Sequence, residues 1–212
     1  MSARIAIVDY GMGNRRSVEK ALQHVGAVVS ITRDPAQLRS ADGLLLPGVG
    51  AFPAAMRTLR ELDLEDVLVE CARGGMPFFG SCMGMQLLFE SSAEHDGATG
   101  LGLLRGAVRR LEADGQKLPH IGWSEVRWVS AGRESPLLHG LPDPATFYHV
   151  HSYAPHPADP EDVLGVSDYG EAFASVVARE NVFGAQFHPE KSSTHGLTLL
   201  RNFARLCDRV AV

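Results

Sequence analysis

Gly80-Ser81-Cys82-Met83-Gly84 lies between the apolar run Met76-Pro77-Phe78-Phe79 and the segment Met85-Gln86-Leu87-Leu88-Phe89-Glu90. A buried strand, a turn flanked by two glycines and a following helix form the layout G-x-nucleophile-x-G, here with cysteine as the nucleophile. So tight a turn presses backbone against backbone where a Cβ would clash, which accounts for glycine on both flanks. The layout commits the chain to a strand that hands directly to a helix. It also sets the sulfur at a helix N-terminus, where the dipole and free N–H groups favour thiolate over thiol. Taken alone, the pentapeptide also fits an inert cysteine buried at the start of an apolar helix.

Around this junction the first half alternates strand and helix signals. Ile5 to Val8 is a short apolar run, and Gly11-Met12-Gly13-Asn14 turns the chain into a helix over Arg15 to Val25, ended by Gly26. Ala27 to Ile31 and Gly43 to Leu46 read as further strands, the latter stopped by Pro47-Gly48. Pro53 opens an amphipathic helix to about Arg73, with Ala55, Leu59, Leu62, Val67 and Leu68 near helical spacing. Phe78-Phe79 is a fourth strand. Such alternation implies parallel strands with helices on both faces.

The second half changes character. Residues 102–111, 125–129, 145–153, 163–166, 173–178 and 182–187 are strand-like between Gly/Pro/Asp-rich turns, and His195 to Val210 reads as a long helix. The expectation is a single domain over residues 1–212, a three-layer α/β fold with a mostly parallel central sheet and an antiparallel extension. A formal charge of −5 without blocks of like charge gives no footprint for nucleic acid or an anionic membrane. Three scattered cysteines without metal-ligand spacing suit a reducing cytoplasm better than a disulfide scaffold. No signal-peptide layout precedes Arg4-Ile5-Ala6-Ile7-Val8-Asp9, and no apolar run nears the roughly 20 residues of a membrane span. A cytoplasmic protein is expected.

Gly184-Ala185-Gln186-Phe187-His188-Pro189-Glu190 is the second informative stretch. In extended backbone, residues i and i+2 point to one side, and Pro189 biases His188 toward that geometry. A cysteine nucleophile needs an imidazole to take and return a proton, and a carboxylate to fix the imidazole's tautomer. A tetrahedral intermediate further needs backbone donors. Met83, directly after the nucleophile, supplies one N–H by position. Gly48, Val49 and Gly50, at the C-terminal end of a parallel strand where ligands bind in such sheets, are candidates for the other.

These blocks resemble the class I (triad-type) glutamine amidotransferases, whose fold is flavodoxin-like. Asp9 to Asn14, Leu46 to Phe52, Pro119-His120-Ile121-Gly122-Trp123, Val150-His151-Ser152-Tyr153 and Phe187 to Ser192 are most similar to the glutaminase subunits of imidazole glycerol phosphate synthase. The resemblance runs in order from residue 4 to about 206. It implies that Cys82 attacks L-glutamine to form a γ-glutamyl thioester, with His188 as acid/base and Glu190 as its partner. Gln86, Ser152 and Tyr153 would bind glutamine. Trp123 and Lys191 would meet a (β/α)₈-barrel synthase subunit, to which ammonia passes to make imidazole glycerol phosphate and AICAR. No cofactor and no metal are expected. Ser81, Met83, Ser124 and Arg15 depart from the usual pattern. Met83 acts through its backbone, so its side chain matters little, whereas Ser124 replaces a common Asn.

Rival constellations are weaker. Gly11-Met12-Gly13 has Arg16 where a dinucleotide fingerprint needs its third glycine. His149-x-His151 could put two imidazoles on one face, as zinc sites do, yet only His156 offers a third ligand. His120 and His139 sit in turn-rich stretches. A cysteine peptidase or γ-glutamyl hydrolase on the same elbow, and a scaffold with a decayed site, remain the other classes.

Overall fold

The apolar runs of the first half form strands because both of their faces are covered. The computed structural model describes residues 2–210, so residues 1, 211 and 212 of the expected domain lie outside the described residues. The chain opens with β1 (Arg4–Val8), α1 (Arg15–His24), β2 (Val28–Thr32), α2 (Pro35–Arg39), β3 (Gly43–Gly48), α3 (Phe52–Glu61), α4 (Glu65–Arg73) and β4 (Phe78–Cys82). Then come α5 (Met83–Leu87), β5 (Phe89–Ser92), β6 (Ala98–Thr99), β7 (Leu104–Arg110), β8 (His120–Trp128) and α6 (Ser130–Glu134). The last elements are β9 (Ala145–His151), β10 (Tyr153–Pro157), β11 (Val163–Asp168), β12 (Ala172–Arg179), β13 (Val182–Ala185) and α7 (Ser193–Val210).

A nine-stranded sheet runs β2-β1-β3-β4-β13-β12-β11-β8-β9, and a smaller sheet runs β10-β7-β5-β6. The ladders from β2 to β13 are parallel; those from β13 to β9 are antiparallel. Alternate residues of the parallel strands feed two separate cores. Ala6, Val8, Leu44, Leu46 and Phe78 join one, and Ile5, Ile7, Leu45 and Phe79 join the other. A strand buried on both faces has no polar alternation to display, which is why these segments read as continuous apolar runs.

Two helical expectations are corrected. The segment after Pro53 is two helices, broken at Leu62-Asp63-Leu64, where Asp63 takes φ 54°. The helix expected through Glu90 ends at Leu87, and Phe89–Ser92 turns into β5, paired with β7. A short apolar run cannot distinguish these outcomes by periodicity. The stretch at His120 is no turn: β8 begins there, five residues before the expected strand, and carries Trp123.

Candidate active site

β4 ends in Cys82, which adopts φ 54° and ψ −116°, a conformation rare for a residue with a side chain. Its glycine neighbours make it possible. A Cβ on Gly80 would stand 2.5 Å from the carbonyl oxygen of Gly84, and one on Gly84 would stand 1.8 Å from that of Leu46. The elbow is therefore locked by backbone contact with β3, whose Gly48 pairs with Cys82 in register. The following helix has only five residues, so its dipole is small, and the electrostatics of the sulfur depend more on neighbouring side chains.

The principal neighbour is His188, contributed by the segment after β13. His188 Nδ1 lies 3.0 Å from Glu190 Oε1, and both side chains are buried. A carboxylate only accepts, so Nδ1 carries the proton and Nε2 is left for Cys82. The geometry differs in detail from a continued strand: β13 stops at Ala185, His188 stays extended at φ −99° and ψ 97°, and Glu190 returns on a 3₁₀ turn. Burial pulls the His188 pKa down. Hydrogen bonding and charge from Cys82 and Glu190 outweigh that and raise it to about 10. The pair on either side of the ring thus favours its charged form.

A cleft of about 320 Å³ opens over the sulfur, a suitable volume for a small amino acid. Val49, Gly50, Met83, Gln86, Ser152, Tyr153, His188 and Lys191 line it together with Cys82. Gly50 has φ +104° and open space where a Cβ would stand, and Val49 is exposed. Gly48 stands behind the lining. A Cβ there would approach Gly84 N, Met83 Cβ and the Tyr10 hydroxyl within 3 Å, so its part is to let β3 touch the elbow. Trp123 is outside the cleft and 54% exposed; its ring meets Tyr148, over which the Lys191 ammonium sits 5.9 Å from the centroid. A larger hollow of about 550 Å³, beside Trp128 and Arg133, contains none of these groups.

Sequence reasoning missed three contributions. Glu94, in the loop between β5 and β6, lines the cleft and accepts a 2.7 Å hydrogen bond from Phe52 N at the start of α3. No motif links positions 52 and 94. Gln186 is completely buried beside Cys82. The third is a cluster of imidazoles under the cleft wall. His149 and His151 do share a face, but their nitrogens are engaged. His149 meets Ser175 Oγ at 3.0 Å and Phe147 O at 3.2 Å, and His151 meets Tyr153 O at 2.9 Å and His120 Nδ1 at 3.4 Å. His120, passed over as a turn residue, is 2% exposed, stacked on Tyr169 and bonded to Ser124 at 2.8 Å.

The profile of the family described as glutamine amidotransferase class-I matches residues 6–207. The chain belongs to the class I glutamine amidotransferases. Among curated relatives of this amidotransferase is the imidazole glycerol phosphate synthase subunit HisH of Bacillus cereus (strain G9842). It is 53% identical over 199 residues, covering 94% of this chain and 93% of the relative. The HisH subunit of Moorella thermoacetica is 48% identical over 202 residues, covering 95% and 94%. Among solved structures, PurLQS from Thermotoga maritima superposes with a TM-score of 0.77 at 19% identity, over 97% of this chain and 99% of that one. At that identity the likeness establishes the amidotransferase fold alone.

Proposed function

We propose that this chain, one amidotransferase domain over residues 1–212, is the glutaminase subunit of an imidazole glycerol phosphate synthase in histidine biosynthesis. The observation that carries the reading is that Cys82 and His188 line one cleft while Glu190 holds the far nitrogen of His188, in a chain about half identical to HisH subunits. The Cys82 thiolate attacks the carboxamide carbon of glutamine. The oxyanion takes the N–H of Met83 and, once the Val49–Gly50 peptide faces the cleft, a second backbone donor; each is worth on the order of 3 kcal/mol. The proton needed by the leaving ammonia is already on His188, because its pKa is raised. Collapse of the intermediate breaks the C–N bond and leaves a thioester and a neutral imidazole. That imidazole then takes a proton from water as water attacks the thioester, and glutamate leaves with the thiolate restored.

Glutamine is held at its other end. Glu94 and the Gln86 side chain offer acceptors for the α-ammonium group, while Ser152 and Tyr153 close the wall. Ammonia passes to a (β/α)₈-barrel synthase subunit docked over exposed Trp123 and Lys191, in the cytoplasm. Among the described residues no helix is long and apolar enough to cross a membrane. The open space at Gly50 fits a glutaminase that is slow alone and accelerates when the synthase subunit and its ligand reorder residues 48–50.

Cys82→Ala tests the reading in the complex. Product formation from glutamine should be abolished, while formation from added ammonium salt continues. Glutamine-dependent synthesis that survives the substitution rules out Cys82 as nucleophile.

A further inference from the structure

Gln186 has 0% exposure, and its carboxamide sits between two functional side chains. Gln86 Nε2 lies 2.9 Å from the Tyr153 carbonyl oxygen, which can only accept, so the orientation of the Gln86 amide is fixed. The same Nε2 lies 3.0 Å from Gln186 Oε1. That contact orients the second amide in turn, and Gln186 Nε2 is thereby directed at Cys82 Sγ, 3.9 Å away. With both bonds of Gln86 made by its nitrogen, its oxygen is the atom left for a ligand. The Gln186 backbone is itself held, donating to Ser175 O at 2.9 Å. A carboxamide buried in an apolar core persists only where its hydrogen bonds are met, and these are met by the residues of the cleft.

We propose that Gln186 is a positioning residue: one buried carboxamide fixes the amide of the glutamine-holding Gln86 and directs a hydrogen-bond donor at the Cys82 sulfur. The inference rests on the reading of Cys82 as nucleophile. A donor aimed at sulfur favours the charged form and holds the side chain in one rotamer. Occupation of Gln86 by a ligand is thereby felt at the nucleophile through two hydrogen bonds, without movement of the elbow.

Two variants separate the halves of this role. Gln186→Met is nearly isosteric and removes donor and acceptor together; Gln86 Nε2 keeps the Tyr153 carbonyl but its second N–H loses its partner, so some loss of melting temperature accompanies the change. Gln186→Glu keeps an acceptor toward Gln86 but replaces the donor facing sulfur. The measurement is alkylation of Cys82 by iodoacetamide against pH in the full chain, read by peptide mass spectrometry to distinguish Cys71 and Cys207. His188 and the Val150 carbonyl oxygen, 3.8 Å from Sγ, also meet the sulfur, the buried Tyr10 hydroxyl feels its charge, and all three are unchanged in both variants. Gln186→Met should raise the half-maximal pH by about one unit, the worth of one hydrogen bond to a charged group, and Gln186→Glu, which sets a carboxyl group beside the sulfur, by at least as much. Gln186→Met should also raise several-fold the glutamine concentration that half-protects Cys82, and Gln186→Glu should not. A folded variant with the wild-type pH midpoint, whatever its melting temperature, reduces Gln186 to a core filler and overturns the proposal. If wild-type Cys82 is not the alkylated, glutamine-protected cysteine, the failure lies with the nucleophile assignment instead.

Discussion

The two halves of the large sheet hold the cleft by different physics. On the parallel side, β3 and β4 press main chain against main chain: Gly84 meets Leu46 and Gly80 meets Gly84, and no ionisable group takes part in those contacts. On the antiparallel side, β8, β9 and the segment after β13 hold the opposite wall with imidazoles, hydroxyls and the His188–Glu190 pair. The first half should be insensitive to pH and intolerant of a single methyl group. The second should tolerate changes of volume and respond to protons.

Gly84→Ala probes the first claim and should have the largest effect. Its methyl would fall 1.8 Å from a carbonyl oxygen of an adjoining strand, and neither backbone can withdraw without opening the β3–β4 ladder. A loss of at least about 4 kcal/mol, or no soluble protein, is expected from urea melts. A variant within about 1 kcal/mol of the parent would show that the elbow is not backbone-locked.

Glu190→Gln moves to the proton-dependent half. The carboxylate both orients His188 and supports its positive charge, so glutamate formation should fall on the order of 10³-fold, and melting should fall as well because part of what raises the His188 pKa is lost. A loss under tenfold would mean that Cys82 alone keeps His188 protonated. Gly50→Ala is gentler. Nothing lies within 4 Å of its missing Cβ, but φ +104° disfavours alanine, so the residue 48–50 loop is strained while the core is untouched. Activity should drop about tenfold, as for partial loss of one oxyanion donor, with stability within about 1 kcal/mol. An equal loss of activity and stability would place that loop with the locked elbow.

The same contrast explains what could be read from sequence. The elbow was legible because steric exclusion leaves a mark in residue type: only glycine fits at 80 and 84. The parallel strands were legible because burial on both faces gives unbroken apolar runs. His188 and Glu190 were legible as spacing, although a 3₁₀ turn rather than a strand brings them together. The helix break at Asp63 was hidden because Leu59, Leu62, Val67 and Leu68 continue the helical spacing across it, while buried Leu64 falls out of phase. Glu94, Gln186 and His120 have no local signal. Their surroundings come from segments tens of residues away, as in the 42-residue separation of Glu94 and Phe52 and the 104-residue separation of Gln186 and Cys82.

The imidazole cluster gives the smallest prediction and the sharpest test of the proton-sensitive half. Burial first, then the neighbouring charge of His120, lowers the His151 pKa to about 3, and burial with the charges of His151 and His120 puts His149 well below its ordinary value. Unfolded, both histidines protonate near pH 6.5; folded, they remain neutral. Protons therefore bind the unfolded chain more strongly, so the stability is complete above pH 6.5 and is lost as pH falls toward 3. Each histidine costs up to about 1.4 kcal/mol per pH unit in that window. His188 does not confound the acid limb: its raised value makes its contribution complete below pH 6.5, and that contribution is lost only as pH rises toward 10. His149→Phe removes one titrating group and leaves the carboxylates of the chain in place. It also strips Ser175 of its partner, so stability drops at every pH and only the slope is informative. Between pH 6 and pH 4, urea melts of the variant should show a dependence shallower by roughly 1 kcal/mol per unit. Parallel curves for the two proteins would mean that His149 is not held neutral, leaving the acid sensitivity of the antiparallel wall to His151.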